Sequence, residues 1–591
     1  MRSDPRSSLV LCLIGSSLCL SAIDTSLAQT DSDVDAGSLL RQEEQLREPA
    51  PQPLPEIITE APLPELTGIG DITVTVREVR FTGAIDLVAD GELDAVVAEA
   101  IGRELDFAGL QALAERVTRH LKDAGWILAR AYLPEQDVEN GIITIDIIAG
   151  RLDTQGRAFR IEDIGERPLR IDPERLGAML TALVPEGEPV READLNRAVL
   201  LMNDLPGIDA LARLEPGETP RSTHILMSVQ EGPLWGGSVN ANNYGNRSTG
   251  EERASFNANL NGPFRLGDQA TFGYTRSEGL DLAQFGYSRP LGASGWRLDL
   301  AHTNLRYEVV DGAGSDDDLK GDAWTNRAGI EYPVIRSAMT NLRLGLDWTY
   351  EALEDRQAGD KLSDKRVEFY SPRLSFDHID SVFGALGRTD FSLTPSWGEL
   401  DLSRIPAEVA VDAATFNTAG HYKKAEYRLS RLQGFGEMPL TLYAELKGQW
   451  AGDNLDSSQR FQVAGPNGVR AYPGGEASSD EGHLLRAELR YALPEDLTEL
   501  GPMTVSAFYD SAWVKRRHDL GDESIDSATG ENSYQIEGAG LALSLVPNDR
   551  FTLSLTWATT IGDNPGRDAN GNNSDGRSDD HRAWLQAVLR L

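Results

Sequence analysis

From residue 233 to the end, the chain repeats one pattern: stretches in which apolar and polar side chains alternate at every step, separated by runs rich in Asp, Gly, Asn and Ser. Successive side chains of an extended strand point to opposite faces, so each stretch has one apolar and one polar face. Leu342, Leu344, Leu346, Trp348 and Tyr350 alternate with Arg343, Gly345, Asp347 and Thr349. Leu440, Leu442, Ala444, Leu446 and Trp450 alternate with Thr441, Glu445, Lys447 and Gln449, and Phe551, Leu553, Leu555 and Trp557 with Thr552, Ser554 and Thr556. Each stretch is close to the ~9–11 residues that a tilted strand needs to cross a bilayer. A soluble β-sandwich would alternate too. Against it, Trp348, Tyr350, Trp450 and Trp557 close these strands at one end, like an interfacial girdle, and the polar faces carry full charges, like a wet lumen.

The connections fit the same reading. Residues 311–322, 354–366, 519–533 and 564–582 are long and polar, as external loops are, whereas Gly262-Pro263 and Gly292-Ala293-Ser294-Gly295 are short, as periplasmic turns are. The span 233–591 accommodates roughly 16 strands at about 22 residues each, an even number as bacterial barrels have. Leu585, Ala587, Leu589 and Leu591 on one face and Arg582, Gln586 and Arg590 on the other make a closing strand, which ends in leucine where an aromatic residue is more usual. The fold class is a transmembrane β-barrel of about 16 antiparallel strands.

The N-terminus reads as an export signal. Arg2 and Arg6 precede an apolar stretch from Leu9 to Ala22, and Ser26-Leu27-Ala28 has the small-x-small form of a cleavage site, so residues 1–28 are read as a signal peptide. Both cysteines, Cys12 and Cys19, fall inside it, leaving the mature chain without disulfide or thiolate chemistry. Beyond it there is no run of about 18 apolar residues, which excludes a helical membrane span. A net charge of −37 argues against nucleic acid or anionic headgroups as partners, because phosphate binding needs concentrated Lys and Arg.

Between signal and barrel the sequence divides further. Residues 29–48 contain helix formers with few apolar side chains, so a helix there is polar nearly all round, and composition alone also fits an unfolded segment. Residues 49–70 form a Pro-rich linker. Residues 71–150 and 151–232 read as two α/β modules. In the first, residues 72–81 are a strand, 93–105 and 110–121 helices, and 127–132 and 142–148 strands. The second has a strand at 159–164, helices at 173–183 and 192–203, the turn Leu205-Pro206-Gly207 and a strand at 223–229.

One segment narrows the function. Residues 465–482 form a glycine-rich loop with a single arginine, containing Gly468, Val469, Arg470, Ala471, Tyr472, Glu476, Asp480 and Gly482. It resembles the inner loop of the two-partner secretion transporters (TpsB proteins, the ShlB/FhaC/HecB family), whose core Val-Arg-Gly-Tyr folds back into the barrel. Ala471 departs from the family glycine. Ala507-Phe508-Tyr509-Asp510-Ser511-Ala512 resembles the family strand motif Phe-x-Asp-x-Gly, with Ala512 in place of glycine. Asn203-Asp204-Leu205-Pro206-Gly207, Asn243-Tyr244-Gly245-Asn246 and Thr249-Gly250 are similar to the family as well. A guanidinium cannot lose its proton, so one held inside a barrel demands a carboxylate at bidentate distance, and Asp510 is the natural partner on the wall for Arg470.

The resemblance implies two periplasmic POTRA domains, a pore-plugging N-terminal helix, and a location in the outer membrane of a Gram-negative bacterium. Its implied partners are a secreted exoprotein of TpsA type bound through the POTRA domains, outer-membrane lipid and the barrel assembly machinery. No cofactor or metal is implied, and no enzyme activity. The chain has no Walker loop, His-Glu-x-x-His helix or Gly-x-Ser-x-Gly elbow. The acidic run from Asp568 to Asp575 lacks the glycine and glutamate of a calcium loop. An assembly factor for other barrels and a passive porin are the alternatives.

Overall fold

The structure, a computed structural model, describes residues 34–48 and 73–591, apart from residues 139, 155–157, 220–221, 313, 317 and 495–497. The predicted signal peptide and Pro-rich linker lie outside the described residues.

Sixteen antiparallel strands among the described residues close into a barrel, from Trp235–Asn242 to His581–Arg590. Each pairs with its neighbour in sequence, and the first and last pair along Ser238 to Arg590 through Asn242 to Gln586. Closure is what a bilayer requires, since an open edge would leave N–H and C=O groups with no water to satisfy them. The alternation sorts the faces. Leu344 and Leu346 are exposed to lipid while Asp347 and Thr349, in the opposite phase just beyond them, are buried inside. Outward aromatics pack on one another, with Tyr427 and Trp450 stacked at 4.4 Å.

The expected loop 354–366 is instead a long hairpin. Strands Thr340–Gln357 and Asp360–Val382 pair up to Gln357 and Asp360, leaving only Ala358 (φ 51°) and Gly359 (φ 90°) in the turn. Two successive left-handed residues give the twist that a two-residue hairpin needs, and the charged residues flanking them are simply strand above the membrane. Strand Lys320–Arg336 likewise begins inside the expected loop 311–322. A helix not foreseen, Pro406–Ala414, sits in the external connection after strand Ala385–Asp401; its first-position proline was the available signal.

The first module is a sheet of Glu78–Gly83, Ile142–Ile148 and Arg130–Tyr132 covered by helix Phe107–Asp123, around Val117, Leu121, Ile143 and Ile145. The expected strand 72–81 breaks in two at Val76, which is buried and donates its N–H to the Arg103 carbonyl at 2.9 Å. The expected helix 93–105 is a short helix, Glu92–Val97, a turn, and the strand Glu104–Asp106; Gly102 at φ 82° ends any helical run. The strand expected at 127–132 shrinks to Arg130–Tyr132.

In the second module, helices Pro173–Leu183 and Glu192–Asn203 pack on a four-stranded sheet of Arg151–Leu152, Phe159–Asp163, Ser222–Glu231 and an unforeseen strand, Ile208–Pro216. That strand follows the Pro-Gly turn and buries Ile208 and Ala210 while Asp209 and Leu211 face out, a short alternation masked by the two outward leucines Leu211 and Leu214.

Candidate functional site in the barrel lumen

Residues 452–480, between strands Met438–Ala451 and Glu481–Ala492, turn inward and fill part of the lumen. The loop is held as a small hairpin: Phe461 and Ser479 exchange backbone hydrogen bonds of 2.7 and 3.1 Å, and Val469 N–H donates to the Val463 carbonyl at 2.8 Å. Gly468 permits that contact, since a Cβ there would lie 2.3 Å from the Val463 oxygen. Val469, Ala471 and Tyr472 are buried against the wall residues Leu484, Phe508, Ala512, Ile536 and Ala558.

Arg470 meets the wall through every part of its head. Nη2 donates to Asp510 Oδ1 and Nε to Asp510 Oδ2, both at 2.9 Å, and the Arg470 backbone N–H also donates to Oδ2 at 3.1 Å. Nη1 donates to Glu488 Oε2 at 3.0 Å, and the guanidinium lies 3.4 Å over the Phe508 ring. The carbonyl accepts the Trp584 indole N–H at 2.8 Å. Burial opposes the charge, but Asp510 and Glu488 more than offset that, so the pKa stands above the ordinary guanidinium value. Phe508, Asp510 and Ala512 share the inner face, and Tyr509 points outward.

Glu488 and Trp584 had not been singled out in the sequence. Glu488 lies between Arg486 and Arg490, opposite in phase to the outward Leu485 and Leu489, so alternation alone placed it on the inner wall.

The other motif residues tie the loop down elsewhere. Asp480 is fully buried; its Oδ2 accepts the His518 N–H at 3.0 Å, and Arg460 Nε lies 3.4 Å from Oδ1. Burial pushes its carboxyl up to about 6. Gly482 leaves room for the Trp513 carbonyl, 2.9 Å from where a Cβ would sit. Glu476 accepts from Asn564 Nδ2 at 2.7 Å and Ser574 N–H at 2.6 Å, fastening the loop to the external connection 562–580.

A second segment shares the lumen. Helix Ala36–Leu46 is capped by Asp35, which accepts the Ser38 N–H at 2.7 Å, and its Ala36 N–H donates to Asp355 on the wall at 2.9 Å. A helix polar nearly all round has few apolar side chains to bury; this one is buried because the wall answers it group by group. Arg41 pairs with Glu426, Glu43 with Arg253, and Lys447 donates to both Glu48 oxygens at 2.9 Å. Leu39 and Leu40 fill an apolar patch with Leu280, Leu305 and Leu353. The helix also touches the loop: Asn467 Nδ2 donates to the Gln45 carbonyl at 2.9 Å, and Gly37 is so close to Ser458 that a Cβ would lie 2.8 Å from it.

Among the described residues no three His, Cys, Asp or Glu side chains are grouped to hold a metal ion. Asp568 Oδ1 accepts the N–H groups of Asn570 and Asn572, both at 2.8 Å.

A closed sixteen-stranded barrel, two α/β modules before it, and a lumen filled by an N-terminal helix and an inward loop define an outer-membrane transporter barrel. A family model described as haemolysin secretion/activation protein ShlB/FhaC/HecB matches residues 221–532, and one described as POTRA domain, ShlB-type, matches residues 74–150. The chain belongs to the ShlB/FhaC/HecB haemolysin secretion/activation family. It is 24% identical over 601 residues to the heme/hemopexin transporter protein HuxB of Haemophilus influenzae (strain 86-028NP), covering 100% of both chains. It is 23% identical to the outer membrane transporter CdiB of Dickeya dadantii, over 86% of this chain and 88% of that one. The fold is similar to solved CdiB from Escherichia coli, with TM-score 0.68, 20% identity and coverage of 93% of this chain and 96% of that one. CdiB from Acinetobacter baumannii superposes with TM-score 0.63 at 15% identity, over 95% and 99%. The protein is an outer-membrane transporter of the two-partner secretion type, with its POTRA region in the periplasm.

Proposed function

We propose that this barrel exports one large, unfolded secreted protein, a hemolysin- or adhesin-like exoprotein, through the space that the helix and inner loop now occupy. The observation that carries this reading is how the helix Ala36–Leu46 is held. Its contacts are mostly ion pairs and hydrogen bonds, which a hydrated lumen exchanges for water at small net cost, unlike a packed apolar plug. Relatives described as a heme/hemopexin transporter and, in Proteus mirabilis, a hemolysin transporter support a secreted client.

No nucleotide supplies energy at the outer membrane, so binding must start the process and folding outside must prevent return. We read residues 71–150 and 151–232 as POTRA domains that capture the client as an added strand. Strand Ile208–Pro216 offers a suitable edge: it pairs with Ser222–Glu231 on one side, has no ladder partner on the other among the described residues, and exposes Leu211 and Leu214. Gly468, Val469, Arg470, Ala471, Tyr472, Asp480 and Gly482, with Asp510 on the wall, are read as the anchor that keeps the inner loop in register during passage. Residues 1–28 are read as the signal peptide, 49–70 as the linker that lets the helix withdraw, and the barrel assembly machinery and outer-membrane lipid as the partners of insertion.

The test is co-expression with a secreted exoprotein of TpsA type encoded in an adjacent reading frame, measuring client in the medium for the wild type, Arg470→Ala and a deletion of residues 72–230, with insertion checked by heat-modifiable migration. Secretion by the wild type alone, with all three inserted, supports the reading. Equal secretion by all three, or none by the wild type, returns the protein to the porin or assembly-factor alternatives.

A further inference from the structure

The turn Asn203-Asp204-Leu205-Pro206-Gly207 has no role in the mechanism so far, yet its residues face two ways. Asn203 works inside the second module, accepting the Ala210 N–H at 2.6 Å and donating to the Ala210 carbonyl at 3.1 Å. Asp204 faces the barrel. Its carboxylate receives Arg336 Nε at 2.9 Å and Nη2 at 2.8 Å, and its carbonyl receives Arg297 Nη2 at 2.8 Å. Beside it Leu205 presses on the periplasmic turn at Gly267, where a Cβ would lie 3.0 Å from the leucine methyl.

Arg336 does not end the chain of contacts. Its Nη1 donates to Asn341 Oδ1 at 3.0 Å, and Asn341 Nδ2 donates to Asp377 at 2.8 Å. Arg343 also reaches Asp377, at 3.4 Å, and across the inner wall Arg373 joins Glu331 at 3.2 Å to Asp347 at 2.8 Å, where Arg327 ends the row at 3.0 Å. A cavity of about 240 Å³ lies between module and barrel, lined by Asp204, Leu205, Trp296, Arg297, Glu331 and Arg343. The joint is therefore a bidentate latch beside a void of mixed lining, with Met179, Leu201 and Trp296 alongside the charged groups, and such a contact has two discrete states, made or broken.

We propose that Asp204 is a positioning residue that sets the angle of the second module on the barrel and, through Arg336, Asn341 and Asp377, couples that angle to the row of charges on the inner wall. The proposal rests on the export reading above in one respect: strand Ile208–Pro216, offered there as the client's docking edge, begins four residues after Asp204, so a client pulling on it pulls on the latch.

The test uses the whole protein in liposomes. Ala182→Cys in the module and Asp549→Cys in a periplasmic turn are both exposed, and spin labels on them report the module-to-barrel distance by double electron–electron resonance. The wild type and the control Glu174→Gln, exposed on helix Pro173–Leu183 of the same module, are expected to give one narrow distribution. Asp204→Asn is expected to add a second population, and the exchange Asp204→Arg with Arg336→Asp to restore one. Secretion of the client is expected to fall roughly tenfold in Asp204→Asn and to recover in the exchanged pair, as for a truncated charge pair. An unchanged distance distribution in Asp204→Asn overturns the proposal, as does a secretion loss that the exchanged pair leaves uncorrected. If the wild type secretes no client, the export reading fails while the distances still decide the latch.

Discussion

The methyl of Ala471 sits over Gly538 in strand Ser533–Asn548, so close that a Cβ added to Gly538 would lie 2.6 Å from it. The inner loop thus carries an alanine where the family motif that it resembles has glycine, and the wall residue opposite is itself a glycine. Ala471 is not among the residues with positive φ, so the substitution costs no backbone strain. The space it needs comes from Gly538.

Gly538→Ala is therefore expected to loosen the loop by about 1–3 kcal/mol, the usual cost of overpacking a filled interior. Adding Ala471→Gly should recover most of that loss. Recovery stays incomplete, because the new methyl still meets the Thr559 carbonyl at 3.2 Å. Proteolytic protection of residues 460–480 in the two variants measures both effects; equal protection in the wild type and Gly538→Ala would refute the account.

Arg470→Ala removes the bidentate partner of the fully buried Asp510, which then has only Arg486 at 3.8 Å, while the half-buried Glu488 keeps Arg490 at 2.8 Å. Breaking such a pair costs about 3–5 kcal/mol, far more than the pair itself is worth. Arg470→Lys should fall between, since an ammonium cannot reproduce the planar fork across Asp510 or the contact with Phe508. Exchanging the charges, Arg470→Asp with Asp510→Arg, should restore only part of the protection, because the carboxylate introduced into the loop would face Glu488, which now receives the Arg470 guanidinium. Hydrogen exchange of the loop amides ranks these variants, and full restoration by the exchange would show that Glu488 contributes nothing.

The barrel was legible because a membrane enforces strict alternation: lipid accepts only apolar side chains on one face, so phase and inner wall follow from it, while the strand number comes from the length at about 22 residues per strand. Asp510 could be named as the partner of Arg470 because residues 507–512 resemble the family strand motif; alternation adds only that Asp510 faces the lumen. What alternation does not carry is length above the membrane, where water tolerates strand and loop alike; hence residues 354–366 read as loop although they pair as strand. Nor does it show what one group meets across the lumen. Glu43 and Arg253 are 210 residues apart, and nothing local marks either as the other's partner.

Asp480 gives the loop a pH dependence of definite sign. Its folded pKa of about 6 lies above the ordinary aspartate value near 3.9, so between those values the folded loop binds more protons than the unfolded one, and stability falls as pH rises. The contribution is fully present below about pH 4 and lost above pH 6, up to roughly 3 kcal/mol at 1.36 kcal/mol per unit. Other carboxylates titrate in the same range, so the informative quantity is the difference between the wild type and Asp480→Asn. Loop protection in the wild type should decline relative to the variant from pH 4 to 7; a constant difference would mean that the buried carboxyl stays ionised throughout.

The helix should leave the lumen when its closest approach is spoiled. Gly37 lies against Ser458, and a branched side chain at Gly37 cannot be absorbed there, because the nearest atoms include the Ser458 backbone nitrogen at 2.8 Å. Gly37→Val is thus expected to expel the helix from its seat while leaving the barrel ladder untouched. Arg253→Ala with Lys447→Ala should weaken the same seat from the other end, by taking the cation from Glu43 and leaving Glu48 only the longer contact with Arg428 at 3.9 Å. Each is expected to raise single-channel conductance in planar bilayers to the level of a deletion of residues 34–48. Conductance equal to the wild type in all three would mean that the inner loop alone closes the pore and that the helix merely fills space beside it.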